Sequence, residues 1–297
     1  QAAVDEVDAQ MSTWRPDSDL MRLNAAPPGA WVEVPKCFME VLRLALDIGR
    51  ASGGAFDIGM GDAVAAWGFG PAAADQRLIR NAFDAARQPS DKVLELDMPG
   101  ARVRKTVPIT LDLNGIAKGY GVDRLAETLR DFGISSGLVG IDGEMRALGL
   151  RPNGQPWAIA IEAPDPDRRA SHSLLALQDA AVATSGDYRH VVTVQGQRLS
   201  HTMDPITGAP LRSSPASVTV VARSCAEADA WATALMVLGS TGGGELAARH
   251  GLDVLFLIRE ANGFKANTVG PLFDGGASTG GRSGAFCHRL RPVRPCK

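Results

Sequence analysis

Residues 111–123, LDLNGIAKGYGVD, constrain this chain more than any other stretch, because they run an apolar segment into a glycine-punctuated loop, a lysine and an amphipathic helix. The sequence predicts a strand over 107–113, a turn at Asn114 and Gly115, and a helix that begins near Lys118. Val122, Leu125, Ala126, Leu129 and Phe132 then recur at helical spacing until Gly133 stops the run. Unpaired backbone N–H groups at such a helix start carry partial positive charge and favour an anion, and Lys118 adds a full charge. The spacing is neither GxxxxGK[ST] nor GxGxxG, so neither the P-loop nor the dinucleotide fingerprint accounts for it. Taken alone, the pattern also fits an ordinary strand, turn and helix with a surface lysine.

The rest of the chain has enough apolar material to enclose that unit. Its 297 residues, 45% hydrophobic and 22% charged, suffice for one large or two small domains. A formal net charge of -2 and a pI near 6.2 give no basis for a nucleic-acid partner, which calls for a basic stripe. No apolar run approaches the ~20 residues of a membrane helix. Residues 1–12 show no apolar signal-peptide region. The sequence enters a helical pattern directly at Gln1, so an upstream piece is expected. Four cysteines form no CxxC pair and no ligand spacing with the five histidines, so a zinc site is not expected. Cys37 and Cys225 adjoin apolar helical stretches and read as buried thiols, whereas Cys287 and Cys296 lie in a Gly- and Arg-rich tail.

A first helix leads into STWRPDSDLMRLN, a loop carrying Trp14 followed by a short helix from Ser18. A second helix after Pro35 sets Phe38, Val41, Leu42, Ala45 and Ile48 on one face and ends at Gly53-Gly54. Residues 54–71, dense in glycine and aromatic residues, are predicted to be irregular, and 75–104 to hold a helix and a hairpin. Strands are predicted at 137–141, 157–162, 173–177, 191–194, 217–221 and 254–258, with helices after Ser224 and Thr241. Leading helices and later strands joined by short turns indicate an α+β fold rather than a doubly wound sheet. Residues 1–274 read as one catalytic region, whole or in two lobes, and 275–297, which lack acidic residues, as a loosely ordered tail.

Two residue sets suggest chemistry. Asp229 and Thr233, four apart in the helix-favouring EADAWATAL, project their oxygens from one helix face and suit a hard cation. Equally, they fit a helix N-terminal charge and a packed threonine. His201 sits between a strand and the turn Asp204-Pro205-Ile206-Thr207-Gly208, a setting that fixes an imidazole able to deprotonate a hydroxyl near neutral pH. A lone histidine is also a common structural residue. Trp14 offers a flat surface on which a ring can stack, and Met203 a soft contact beside the histidine; core packing accounts for either as well.

Four islands, AFDIG at 55–59, DLNGIAKGYGVD at 112–123, TSGDYR and SHTMDPITGAP within 184–210, and EADAWATAL at 227–235, together resemble the ApbE family of FAD:protein FMN transferases. The likeness runs from about residue 11 to about residue 259. It implies an α+β fold of mixed helices and largely antiparallel sheets, with the nucleotide in a cleft between two lobes. It further implies Mg2+, with Ca2+ as a substitute, held by Asp229, Thr233 and the carbonyls of Gly115 and Ala232. FAD would be the substrate, contacted by Trp14 (where the family commonly has Tyr), Ala55, Phe56, Asp57, Asp112, Lys118 and Met203. His201 would activate a Thr or Ser hydroxyl of an acceptor flavoprotein, and AMP would be released. A FAD pyrophosphatase giving FMN and AMP, or a non-catalytic flavin-binding or maturation factor, would use the same nucleotide site. By analogy the protein would work outside the cytoplasm, in the periplasm. The family's first strand, with a Met-Gly-Thr motif near the flavin, is not represented in this sequence.

Overall fold

The structure, a computed structural model, describes residues 1–165, 168–188, 191–194, 197–211, 215–261 and 263–273. The chain begins with helices α1 (Ala2–Met11) and α2 (Asp19–Ala25), strand β1 (Trp31–Glu33) and helices α3 (Lys36–Ala51), α4 (Gly61–Ala66), α5 (Gln76–Asp84) and α6 (Ser90–Val93). The hairpin of β2 (Leu94–Asp97) and β3 (Arg102–Lys105) leads to α7 (Ala117–Asp131). Strands then follow as β4 (Gly137–Ile141), β5 (Glu144–Leu148), β6 (Trp157–Glu162), β7 (Ser171–Leu177) and β8 (Ala181–Gly186). After them come β9 (Val191–Val194), β10 (Gln197–Ser200), β11 (Met203–Asp204), β12 (Ala209–Pro210) and β13 (Ser217–Ala222). Helix α8 (Cys225–His250) precedes β14 (Asp253–Glu260) and β15 (Gly263–Val269).

Six strands pair antiparallel in the order β15-β14-β13-β8-β5-β4, in keeping with the α+β class read from the sequence. Side chains on successive strand residues point to opposite faces. Val218, Val220, Val254 and Phe256 therefore join the core under α8, while Val221, Leu255 and Leu257 join a second core closed by Ile159, Ile161, Leu175 and Leu177 of the β6–β7 hairpin. Helix α3 follows the helical period instead: Phe38, Val41, Leu42, Ala45 and Ile48 are at most 4% exposed. Left-handed Gly53 (φ 65°) and Gly54 (φ 87°) stop it. Among the described residues no helix is long and apolar enough to cross a membrane.

Several local expectations are corrected. Residues 107–113 form no strand. Pro108 lacks the N–H that a ladder needs, and the backbone is held by other partners. The Asn24 side chain accepts the Leu111 N–H at 2.8 Å and donates to the Leu111 carbonyl at 2.9 Å, and the Asp112 N–H donates to the Ile58 carbonyl at 2.8 Å. The segment expected to be irregular contains α4, whose Ala63 and Ala66 are buried. Phe132 does not belong to the buried stripe of α7; it lies beyond the last turn and is 80% exposed. The two helices expected after Ser224 and Thr241 run together as α8, broken at Gly239 (φ 71°, ψ 179°). Strands β1, β5, β8 and β15 were missed by periodicity. For β8 the reason is its small-residue sequence AVATSG, which becomes a strand because β5 and β13 pair with it on either side. Cys225 is fully buried, whereas Cys37 is only partly so. The tail, Cys287, Cys296, His190 and His288 lie outside the described residues.

Candidate active site

Leu111 and Leu113 are almost completely buried, and this alternation leaves Asp112 between them facing a cleft of about 680 Å³. Its two carboxylate oxygens accept from the Asn114 backbone and side-chain nitrogens, both at 2.9 Å. Burial pushes the Asp112 carboxyl up to about 6, against the pull of the Asn114 N–H. Gly115 comes next, and there a Cβ would lie 3.1 Å from Thr233 Oγ1 and 3.2 Å from the Phe56 ring. A side chain here would press on Thr233 and Phe56, so glycine suits this close approach.

Helices α7 and α8 cross in close contact at Gly119, where a Cβ would sit 2.3 Å from the Cys225 carbonyl oxygen. The crossing is fixed by Asp123, which accepts the N–H groups of Cys225 (2.8 Å) and Ala226 (2.9 Å) at the start of α8 and pairs with Arg146 at 2.5 Å. Asp229 and Thr233 thereby both face the cleft, with the Thr233 hydroxyl 3.3 Å from that of Ser185. Ala232, between them, is packed in the core and does not line the cleft. The Gly119 N–H donates to Asp229 Oδ2 at 3.1 Å, so part of the anion-binding capacity of the α7 start is already used by this carboxylate. Burial, reinforced by Glu144, raises the Asp229 carboxyl to about 7, while Lys118 and the Gly119 N–H oppose the shift. Lys118 donates to Glu144 Oε1 at 2.6 Å. Burial alone would lower its pKa, but Asp229 and Glu144 outweigh that and hold it above the ordinary lysine value.

The rest of the cleft is formed by segments remote in sequence, with the Phe56 ring close to Gly115. Ala55, Phe56 and Asp57 line it, but the Asp57 carboxylate is turned to backbone, accepting the N–H of Gly59 at 2.7 Å and of Ser90 at 3.2 Å. Burial still raises that carboxyl above its usual range. Met203 lines the cleft from a small apolar cluster with Met60, Ala63, Ala66 and Ala82. His201 also lines the cleft, half-buried beside this cluster and edge-on to Phe69 with ring centroids 6.5 Å apart. Asp204 caps the turn that follows, accepting the Ile206 N–H at 2.8 Å. Trp67 Nε1 donates to the Gly208 carbonyl at 3.1 Å, and Arg87, paired with Asp62 at 3.0 Å, packs beneath Gly208. Trp14 stands 62% exposed at the rim.

Of the other described histidines, His172 is on β7 and His250 lies against Trp231, 5.0 Å between ring centroids, and neither lines the cleft. Sequence reasoning missed Glu144, Thr184, Ser185 and Tyr188, which do line it. The Asp142-Gly143 pair before Glu144 was the available signal, since it marks a tight hairpin that sends the next residue inward. Thr184, Ser185 and Tyr188 belong to the TSGDYR island, whose small polar residues carry no period of their own.

One carboxylate, one hydroxyl and the nearby Gly115 backbone make an all-oxygen donor set that suits a hard cation with open positions, and no group of three or more His, Cys, Asp or Glu among the described residues offers a softer alternative. The cleft could thus take an anionic ligand at Lys118, a hard cation at Asp229 and Thr233 and a flat ring at Trp14, and His201 also lines it. Known proteins share this architecture. The ApbE family model matches residues 1–256. The chain is 38% identical over 263 residues to a FAD:protein FMN transferase of Vibrio cholerae, covering 88% of this chain and 79% of that one. It is 34% identical over 278 residues to a FAD:protein FMN transferase of Escherichia coli K12, covering 89% and 77%. Among solved structures, the apo flavinyl transferase ApbE of Pseudomonas stutzeri superimposes with a TM-score of 0.79 at 39% identity, over 92% of this chain and 85% of that one. With a family match over most of its length, relatives well above 30% identity and the same fold, the chain belongs to the ApbE family.

Proposed function

We propose that the protein transfers FMN from FAD to a threonine or serine hydroxyl of an acceptor protein, with Mg2+ bound, and releases AMP. The observation that carries this reading is convergence: residues from Trp14 to Thr233 meet at one cleft, whose lining includes both Asp229 with Thr233 and His201. The names of the relatives, FAD:protein FMN transferase, support the reaction class.

Lys118 binds the diphosphate as a point charge, and Trp14 stacks a ring of the nucleotide at the rim. Asp112 accepts from a polar edge of the ligand. Asp229, Thr233 and the backbone at Gly115 would hold the divalent cation. When bound, Mg2+ neutralises charge on the diphosphate and on the leaving phosphate, and Ca2+, also an oxygen-seeking cation, is a candidate substitute. His201 accepts the proton of the acceptor hydroxyl as its oxygen bonds to the phosphorus on the FMN side. The P–O bond to the AMP phosphate breaks, and AMP leaves with the bonding pair. The family likeness also favours a periplasmic setting, which fractionation of the source cells tests.

The test is incubation of the chain with FAD, Mg2+ and a candidate acceptor, followed by mass analysis of the acceptor. An FMN-sized increment on a hydroxyl residue, matched by AMP, is the expected result. AMP with free FMN and no labelled protein would instead identify a pyrophosphatase.

A further inference from the structure

Glu144 is a buried charge that the transfer chemistry leaves without a role. It opens β5 directly after Asp142 (φ 50°) and Gly143 (φ 108°), the left-handed pair that an Asp-Gly hairpin turn supplies. The turn sends an ionisable side chain inward to 2% exposure at the floor of the cleft. Its Oε1 accepts from the Lys118 ammonium at 2.6 Å, and its Oε2 is buried with no hydrogen-bond partner. A buried carboxylate with an unsatisfied oxygen is unfavourable in a resting structure, so its retention calls for a use.

Its surroundings suggest one. The Lys118 ammonium, bound to Glu144 at 2.6 Å, is also within electrostatic reach of Asp229, so a single cation is shared between two buried carboxyl groups. The Lys118 side chain is 41% exposed and long enough to swing into the cleft, whereas that of Glu144, at 3%, is fixed by its strand. We infer that Glu144 is a positioning residue, which holds the Lys118 ammonium beside Asp229 while the cleft is empty and yields it to the incoming diphosphate. Its released charge then strengthens the hold of the floor on the divalent cation. The inference rests on reading the cleft as the site of a diphosphate and a divalent cation.

Two binding titrations on the intact chain test it: FAD in the presence of a chelator, and Mg2+ without nucleotide. Glu144→Gln keeps the shape and removes the charge. It is expected to tighten FAD, because the Lys118 ammonium no longer has to be drawn from a charged partner, and to weaken Mg2+, because the cleft loses a negative charge, each roughly three- to tenfold. Glu144→Asp, which keeps the charge, is expected to retain Mg2+ affinity within about twofold on the same argument. In a Lys118→Met background the FAD gain should vanish, since no ammonium remains to be released. Parallel weakening of both ligands, as a merely structural role would give, overturns the inference. So does an unchanged pair of affinities, or an FAD gain that persists without Lys118. Because the readouts are binding constants, a wild-type chain that binds FAD but transfers nothing refutes the transferase reading while these titrations still decide the role of Glu144.

Discussion

The two walls of the cleft are held in place by opposite means. The wall with Lys118, Asp229, Thr233 and Glu144 is rooted in the core, where Gly119 lets α7 and α8 touch and Asp123 caps α8. The wall with His201 and Met203 rests on a small apolar cluster and on individual bonds: Trp67 to Gly208, Arg87 beneath that glycine, and Asp204 to the Ile206 N–H. Buried carboxylates need a frame that does not relax around their charge. The wall with the turn after His201 is the more open of the two, and it carries Ile206, 87% exposed.

If the turn wall performs the chemistry and the helical wall holds the ligand, mutations should separate the two. His201→Ala is expected to lower FMN transfer by roughly 10²- to 10⁴-fold, the range for a lost general base, with FAD affinity within about twofold of wild type. Calorimetric FAD titration beside the transfer assay checks this, and joint loss of binding and transfer would move His201 to the ligand-holding side. Asp229→Ala is expected to cost roughly 100-fold or more in metal-dependent transfer, exceeding the 10- to 100-fold typical of a residue that only supports a ligand. Thr233→Ala should cost less, since it removes a neutral donor. Mg2+ titration of both variants measures the order, and full metal-dependent turnover in Asp229→Ala would remove it from the cation site. Trp67→Phe gives the smallest effect: loss of its hydrogen bond to Gly208 costs about 1 kcal/mol of stability, and even if all of it loosened the His201 turn in the transition state, turnover would fall by no more than roughly fivefold. Mg2+ affinity should stay at the wild-type value, and a shift in it would show that the two walls are coupled.

The helical wall was the easier to read. Asp229 and Thr233 share a helix face by spacing alone, and the apolar run of α3 was visible as a stripe. The turn wall is written in tertiary partners. Nothing local to Trp67 or Arg87 says that each will meet Gly208, which is more than a hundred residues away. Residues 107–113 misled for the same reason: their apolar alternation is real, but Asn24 and Ile58 satisfy the backbone in place of a neighbouring strand. Glu144 gave no signal of its own, since the strand it opens was not visible in the sequence, and only the fold shows it to be enclosed.

The break in α8 at Gly239 resets the angular phase of the helix. Residues beyond it begin a new count toward the sheet, with Gly243 so close to Phe256 that a Cβ would lie 3.3 Å from the ring. An insertion or deletion downstream of the break would rotate that half by about 100° per residue and leave Asp229 and Thr233 where they are. The same change between Cys225 and Asp229 would turn both away from the cleft. The chain thus has a place where its length can change without turning the cleft-lining pair, and it lies within the very helix that carries that pair.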